Sequence, residues 1–173
     1  MEEIEVPIEK VQEDIHHATH SENSALVSRG ALLSAFLAVF AAISALLAGH
    51  YSNEAMISQI RSSDEWAHYQ AKSIKLEINK LTAAVTKSEA AEEKIGKYKE
   101  EQEEIKTEAE KLHKESEYFL LKHETLARAV TFFQIGVALT AIAVLTKKRR
   151  YLYFSFILSL GGLVQMLASF FIK

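Results

Sequence analysis

Three long stretches without a charged residue constrain this chain most strongly. They cover residues 30–49, 129–146 and 151–172, and each is close to the roughly 20 residues that a helix needs to cross a hydrocarbon core. The overall composition, 49% hydrophobic and 25% charged, resembles that of a soluble protein only on average. Three such stretches in 173 residues leave too little polar sequence to cover them. We therefore predict three transmembrane helices rather than a soluble bundle.

Charge next to these spans predicts their direction. The loop at residues 147–150, "KKRR", is the densest basic cluster, and short loops rich in Lys and Arg stay in the cytoplasm. We expect the N-terminal residues 1–29 on the same side of the membrane and residues 50–128 on the other side. The inverted topology is the alternative, since the middle segment is longer than the loops for which this rule holds. Residues 1–29 are acidic, unlike the start of a signal peptide.

The middle segment, residues 50–128, predicts two long helical arms. It has a single glycine and no proline, and strong helix formers dominate it. A turn near Ser88, with "TKSE" from Thr86 to Glu89 as a capping box, would fold it into an antiparallel coiled-coil hairpin. Two heptad rows are expected to meet as the seam, in a register that sets Leu81 opposite Ile95 and Ala67 opposite Ala109. The predicted seam residues are Asp64, Ala67, Ala71, Ile74, Ile78, Leu81, Ile95, Tyr98, Ile105, Ala109, Leu112 and Phe119.

A second apolar face on the first arm predicts an interface. Trp66, Tyr69 and Leu76 would point away from the seam, and an apolar stripe on a helix that already has a seam favours cover by another helix. We expect a neighbouring subunit there, with a different protein or simple exposure as the alternatives.

Small and polar residues in the spans predict how the helices pack in lipid. Small residues at four-residue spacing let helices approach closely. Gln134 and Gln165 would act as interhelical hydrogen-bond donors or line a pathway. The predicted packing residues are Ser34, Ala38, Ala42, Ala45, Gly49, Gln134, Gly161, Gly162 and Gln165.

The N-terminal arm, residues 1–29, is acidic and contains histidines. Its apolar residues recur at helical spacing, which is typical of an amphipathic helix. His16 and His20 lie four residues apart with Glu13 nearby, a spacing that can chelate a metal but is common. A pH-sensitive surface and a plain solvated helix are the other interpretations. We expect no metal and no other cofactor.

Several function classes have no support in the sequence. The chain has no cysteine and a net charge of −3, which argues against thiol chemistry and a nucleic-acid partner. It has no glycine-rich phosphate loop and no nucleophile or zinc-protease motif. None of the three spans carries an ionisable side chain other than tyrosine, which argues against a pump more than against a passive pore. We predict that the chain is not an enzyme.

The stretches "LLAGHYSNEA" and "SSDEWAHYQAKSIK" resemble a family of bacterial membrane proteins catalogued as domain of unknown function 4337. Within the second stretch, Trp66, Tyr69, Gln70, Ala71 and Lys72 are the specific part. The order of one span, a charged helical segment and two spans split by a basic loop is similar as well. This resemblance implies an architecture but no activity.

Together these features predict an all-α integral membrane protein. We expect it to self-assemble in the lipid bilayer as a scaffold or envelope-organising component. An oligomeric pore and a metal- or pH-responsive regulator are the alternatives, and an envelope protein is a further possible partner.

Overall fold

The described residues form three α-helices. The computed structural model describes residues 22–87 and 89–172. Helix α1 spans Glu22–Thr86, α2 spans Glu89–Thr146 and α3 spans Arg149–Phe171, and the described residues contain no strand. The absence of proline after Pro7 explains why α1 and α2 continue without a break for 65 and 58 residues. All three helices are long and apolar enough to cross a membrane.

Each of the two connections contains a lysine in the left-handed backbone region. Lys87 has a φ of 51° and Lys147 a φ of 54°. The Lys87 N–H donates to the carbonyl of Ala83 over 2.9 Å, as in the turn that commonly ends a helix. The predicted capping box is wrong, because Thr86 still belongs to α1 and its hydroxyl donates to the Thr82 carbonyl. The predicted apex, Ser88, lies outside the described residues.

The described residues form two compact units. The first, here called the bundle, contains the residues up to Leu46 and those of Thr125–Phe171. The second contains Leu47–Glu124, so that it consists of the later part of α1 and the earlier part of α2. We call these two helical segments the first and the second arm.

The bundle has a small apolar core. Leu37, Ala129 and Phe133 are almost fully buried, and Phe40 packs against them. The rings of Phe40 and Phe133 stack with their centres 5.8 Å apart. Because these residues come from α1 and α2, the core joins the two longer helices.

Glycine and small hydroxyl residues bring α3 against α2 in the bundle. A Cβ atom on Gly162 would lie 2.9 Å from the ring of Phe133, so only glycine leaves room for that ring. The Ser155 hydroxyl donates to the Gly136 carbonyl over 2.7 Å and lies 2.7 Å from the Thr140 hydroxyl. Gly30 on α1 is equally close to α2, since a Cβ there would lie 2.6 Å from Val144.

The predicted packing residues of the spans differ in how far they are buried in the chain. Gly162 is buried, and Ser34, Gly161 and Gln165 are half-buried. The others are exposed in the single chain: Ala38, Ala42, Ala45, Gly49 and Gln134. The face of α1 that packs carries a row at seven-residue spacing that begins at Gly30 and includes Leu37 and Ser44.

Candidate functional site: the paired arms and their outer face

The two arms lie side by side and antiparallel. Their contacts join Ala48 with His123, Ala55 with Ser116, Ser62 with Ala109 and Ser73 with Gln102. Positions rise along the first arm as they fall along the second, which defines the antiparallel direction. On the first arm the buried positions are Ala48, Ala55, Ser58, Ser62 and Leu76.

Two serines, one on each arm, hydrogen-bond to the opposite arm in the middle of the pair. The Ser62 hydroxyl donates to the Ala109 carbonyl over 2.9 Å, and the Ser116 hydroxyl donates to the Ala55 carbonyl over 2.8 Å. A serine side chain is short, so it reaches a carbonyl of the other helix only where the two backbones are close. Ala109 is fully buried. The small residues therefore allow the backbones of the two arms to approach closely.

Towards the turn, polar side chains replace the small ones. Lys72 forms an ion pair with Glu101, and its ammonium lies 5.1 Å from the ring centre of Tyr98. Gln102 donates to the hydroxyl of Ser73. The hydrogen bond from Lys72 lowers the pKa of Glu101 below its ordinary value of 4.5. This end of the pair is thus held by a charge contact that needs an ionised carboxylate.

At the other end of the pair, aromatic rings surround a cation. The Lys122 ammonium lies 5.1 Å from the ring centre of Tyr51 and 4.6 Å from that of Tyr118. Tyr51 also stacks on Phe119, with the ring centres 6.1 Å apart. The hydrogen bond with Tyr118 is the main cause of the raised pKa of Lys122. The lysine therefore stays charged and links three aromatic residues by cation–π and stacking contacts.

The structure corrects the predicted seam on the first arm. Helix α1 carries two rows with the same heptad spacing, and the arms pair through the row of small residues instead of the predicted one. The register differs too, since Ser62 contacts Ala109 where Ala67 was expected. The predicted first-arm residues are all exposed: Asp64, Ala67, Ala71, Ile74, Ile78 and Leu81.

The predicted row of the second arm lies on the side that faces the first arm. Ile105 and Ala109 are buried, and Tyr98 and Phe119 contact Lys72 and Tyr51. Ile95 and Leu112 are half-buried.

The predicted outward face is split. Leu76 is buried with 6% of its surface exposed, and Tyr69 is half-buried, so Leu76 belongs to the packed side of the first arm. Trp66 retains 36% exposure, and its ring meets that of Tyr69 edge to face at 5.6 Å. The interface prediction is therefore wrong for Leu76, because Leu76 continues the packed row of small residues at heptad spacing.

The largest apolar surface of the arms is a row that sequence reasoning had assigned to their interior. It consists of exposed side chains at heptad spacing, with exposures from 42% for Ile57 to 84% for Val85. We call it the outer apolar row. Its members are Ile57, Ile60, Ile74, Ile78, Leu81 and Val85, with Asp64, Ala67 and Ala71 at the intervening heptad positions.

The candidate metal residues Glu13, His16 and His20 lie outside the described residues. Within the described part of the chain, no group of three His, Asp or Glu side chains is arranged to hold a metal ion.

Sequence comparison assigns the chain to a family. The family model described as "Domain of unknown function (DUF4337)" matches residues 26–172, which is most of the chain. The chain therefore belongs to this family. No curated protein and no solved structure matches the sequence.

Proposed function

We propose that this member of the DUF4337 family is a multi-pass protein of the bacterial inner membrane that assembles with itself. Its role would be that of a non-enzymatic scaffold that organises other parts of the cell envelope. Its arms would pair as an antiparallel coiled coil. The exposed outer apolar row carries this proposal.

The surface of the bundle supports insertion into lipid. Large apolar side chains on α1 and α3 are exposed on it, among them Leu32, Phe36, Phe154, Ile157 and Phe171, each with more than half of its surface accessible. Exposure to water costs about 25 cal/mol for each Å² of apolar surface, whereas lipid tails remove this cost. The same side chains are therefore favourable in a bilayer and unfavourable in water.

The connection between α2 and α3 supports the predicted direction of insertion. All four basic residues of 147–150 are exposed, and the Arg150 guanidinium lies 6.0 Å from the ring centre of Tyr151. Basic residues next to an aromatic ring are typical of the cytoplasmic membrane interface. We therefore assign residues 147–150 to the cytoplasm and the arms to the opposite side.

The outer apolar row supports self-assembly. An exposed row of large aliphatic residues at heptad spacing is typical of a helix that packs against another helix. A contiguous exposed patch of several large apolar side chains marks an interaction site. The first arm already packs against the second through its other row. Its outer row is thus left for a contact with another molecule.

Membrane fractionation and mass measurement test this function. We expect the protein to stay in the membrane after an alkaline wash, and the detergent-solubilised protein to have a multiple of the 19.4 kDa chain mass. Changing Ile74 and Ile78 together to Gln should reduce the mass towards that of one chain. The matched double variant, Thr107→Gln with Lys114→Gln on the exposed side of the second arm, should leave it unchanged. A wild-type chain that is released by the wash or is strictly monomeric contradicts the proposal.

A further inference from the structure

We infer that the outer apolar row is a contact between two copies of this chain, in which the two first arms run parallel and in register. This inference rests on the proposed self-assembly and specifies its partner, its surface and its geometry. Three features of the arms support it: the area of the row, the character of the other arm surfaces and the residues beside the row. The shared direction of insertion, which follows from the proposed function, supports it as well.

The area of the row is sufficient for a specific contact. From the exposed fractions of its six large side chains, the row presents on the order of 600 Å² per copy, so pairing would bury about 1,200 Å², the lower end of standard interfaces. Met56, exposed just before Ile57 on the same arm, would add to this at the edge.

A second copy matches the row better than any other surface of the described arms. Among the described residues of the second arm, the only exposed large apolar ones are Leu120 and Leu121, and the rest of the exposed surface is mainly Lys and Glu. An aliphatic row gains nothing from a charged surface, whereas the same row in another copy presents equal spacing and equal chemistry. Such a self-complementary patch is typical of a two-fold dimer.

The direction of insertion selects the parallel arrangement. Copies that enter a membrane in the same direction can be related only by an axis along the membrane normal. A two-fold axis of this kind pairs each residue of the row with the same residue of the second copy. Layers of Ile60, Ile74, Ile78 and Leu81 would then repeat at the heptad spacing of a parallel coiled coil.

The residues beside the row fit this alignment. In a parallel pair, the residue just before each of Asp64, Ala71 and Ile78 lies near the residue five positions later in the second copy. These neighbours carry no like charges in the described helix. They are Ser63 with His68, Gln70 with Lys75, and Glu77 with Thr82.

The parallel alignment has one unfavourable layer. Asp64 lies in the row and would face Asp64 of the second copy, next to the narrow layers of Ala67 and Ala71. Two carboxylates at one layer repel each other. The contact would therefore be weaker than its apolar area alone suggests, and removal of this charge should strengthen it.

Cysteine cross-linking tests the alignment, because the natural chain contains no cysteine. We expect the single variants Ile60→Cys and Ile78→Cys to give covalent dimers with a short bis-maleimide in membranes. The control Glu104→Cys, exposed on the second arm, should stay monomeric on gels. A mixture of Ile57→Cys and Val85→Cys chains should not form cross-links between the two variants.

Cross-linking between Ile57→Cys and Val85→Cys chains, without dimers of the single variants Ile60→Cys and Ile78→Cys, would overturn the parallel alignment. An oligomeric wild type with no cross-link at the row would overturn this inference alone, whereas a monomeric wild type would also refute the proposed function.

Charge removal at Asp64 provides an independent measurement. Asp64→Asn should tighten dimerisation in detergent about tenfold, which corresponds to 1.4 kcal/mol, and Asp64→Glu should not. Equal dissociation constants for the wild type and Asp64→Asn would contradict a layer in which the two carboxylates meet.

Discussion

At the scale of single residues, two serine hydroxyls determine how closely the arms approach. Ser62 and Ser116 each donate to a carbonyl of the opposite arm, and both are buried. Small size and hydrogen bonding thus act together at these two positions.

Loss of one of these hydroxyls should weaken the arm pair. We expect Ser62→Ala to lower the free energy of unfolding by about 1 kcal/mol, the usual contribution of one hydrogen bond. The adjacent Ser63→Ala, at an exposed position, is the matched control and should change it by less than about 0.5 kcal/mol. Urea unfolding of the full chain in detergent, followed by circular dichroism, measures both. Equal shifts for the two variants would show that the serine bond contributes nothing.

A second residue-scale prediction concerns the turn after α1. Lys87 adopts a φ of 51°, which costs a residue with a Cβ atom about 1–2 kcal/mol, whereas glycine adopts it freely. Lys87→Gly should therefore raise the unfolding midpoint. The same change at Lys114, inside α2, should lower it, because glycine in a helix interior costs about 1 kcal/mol. Two variants that shift the midpoint in the same direction would contradict this assignment of the turn.

At the scale of helices, close packing of α3 on α2 depends on one of two adjacent glycines. A Cβ atom on Gly162 would lie 2.9 Å from the buried ring of Phe133, whereas one on Gly161 would be at an ordinary 3.7 Å from Phe132. We expect Gly162→Ala to destabilise the bundle by about 1–3 kcal/mol, as overpacking does. Gly161→Ala should be neutral or slightly stabilising. Thermal unfolding in detergent distinguishes them, and indistinguishable midpoints would refute the contact.

The ion pair between the arms predicts a dependence on pH. The pKa of Glu101 is lowered in the folded chain by its bond with Lys72, so this contact stabilises the fold above the ordinary pKa of 4.5. That contribution is lost as the pH falls through the lowered value. We expect Glu101→Gln to reduce stability at pH 7 and to bring the variant and the wild type together in strong acid. A difference that is constant from pH 7 to acid would contradict the pairing.

At this scale the sequence predicts the elements better than their contacts. The long uncharged stretches and the missing prolines indicate three helices, and the described part of the chain forms three. Heptad spacing on α1 could not identify the packed row, since two rows share that spacing. The larger aliphatic residues favoured the wrong row. The hydrogen bonds of Ser62 and Ser116 form only when the two arms are paired, so they cannot be read from the sequence of one arm.

At the scale of the whole molecule, the proposed topology makes the arms and the basic loop accessible from opposite sides. In spheroplasts, whose inner membrane is intact, a membrane-impermeant maleimide should label Glu104→Cys, on the second arm. It should label Lys148→Cys, in the loop after α2, only after lysis. The reverse pattern would establish the inverted topology.

What the sequence determined by itself is local. Hydropathy and helix propensity act over a few turns, so they suffice to predict three helices, three spans and the division into uncharged and charged segments. Only the tertiary structure shows which face of α1 packs. That depends on how well each of its two rows fits α2, whose residues are distant in the sequence. Ser62 and Ser116 could hydrogen-bond only across closely spaced backbones, and the small residues beside them allowed that spacing. The aliphatic residues from Ile57 to Val85 were therefore left on the outside, where we place the contact with a second copy.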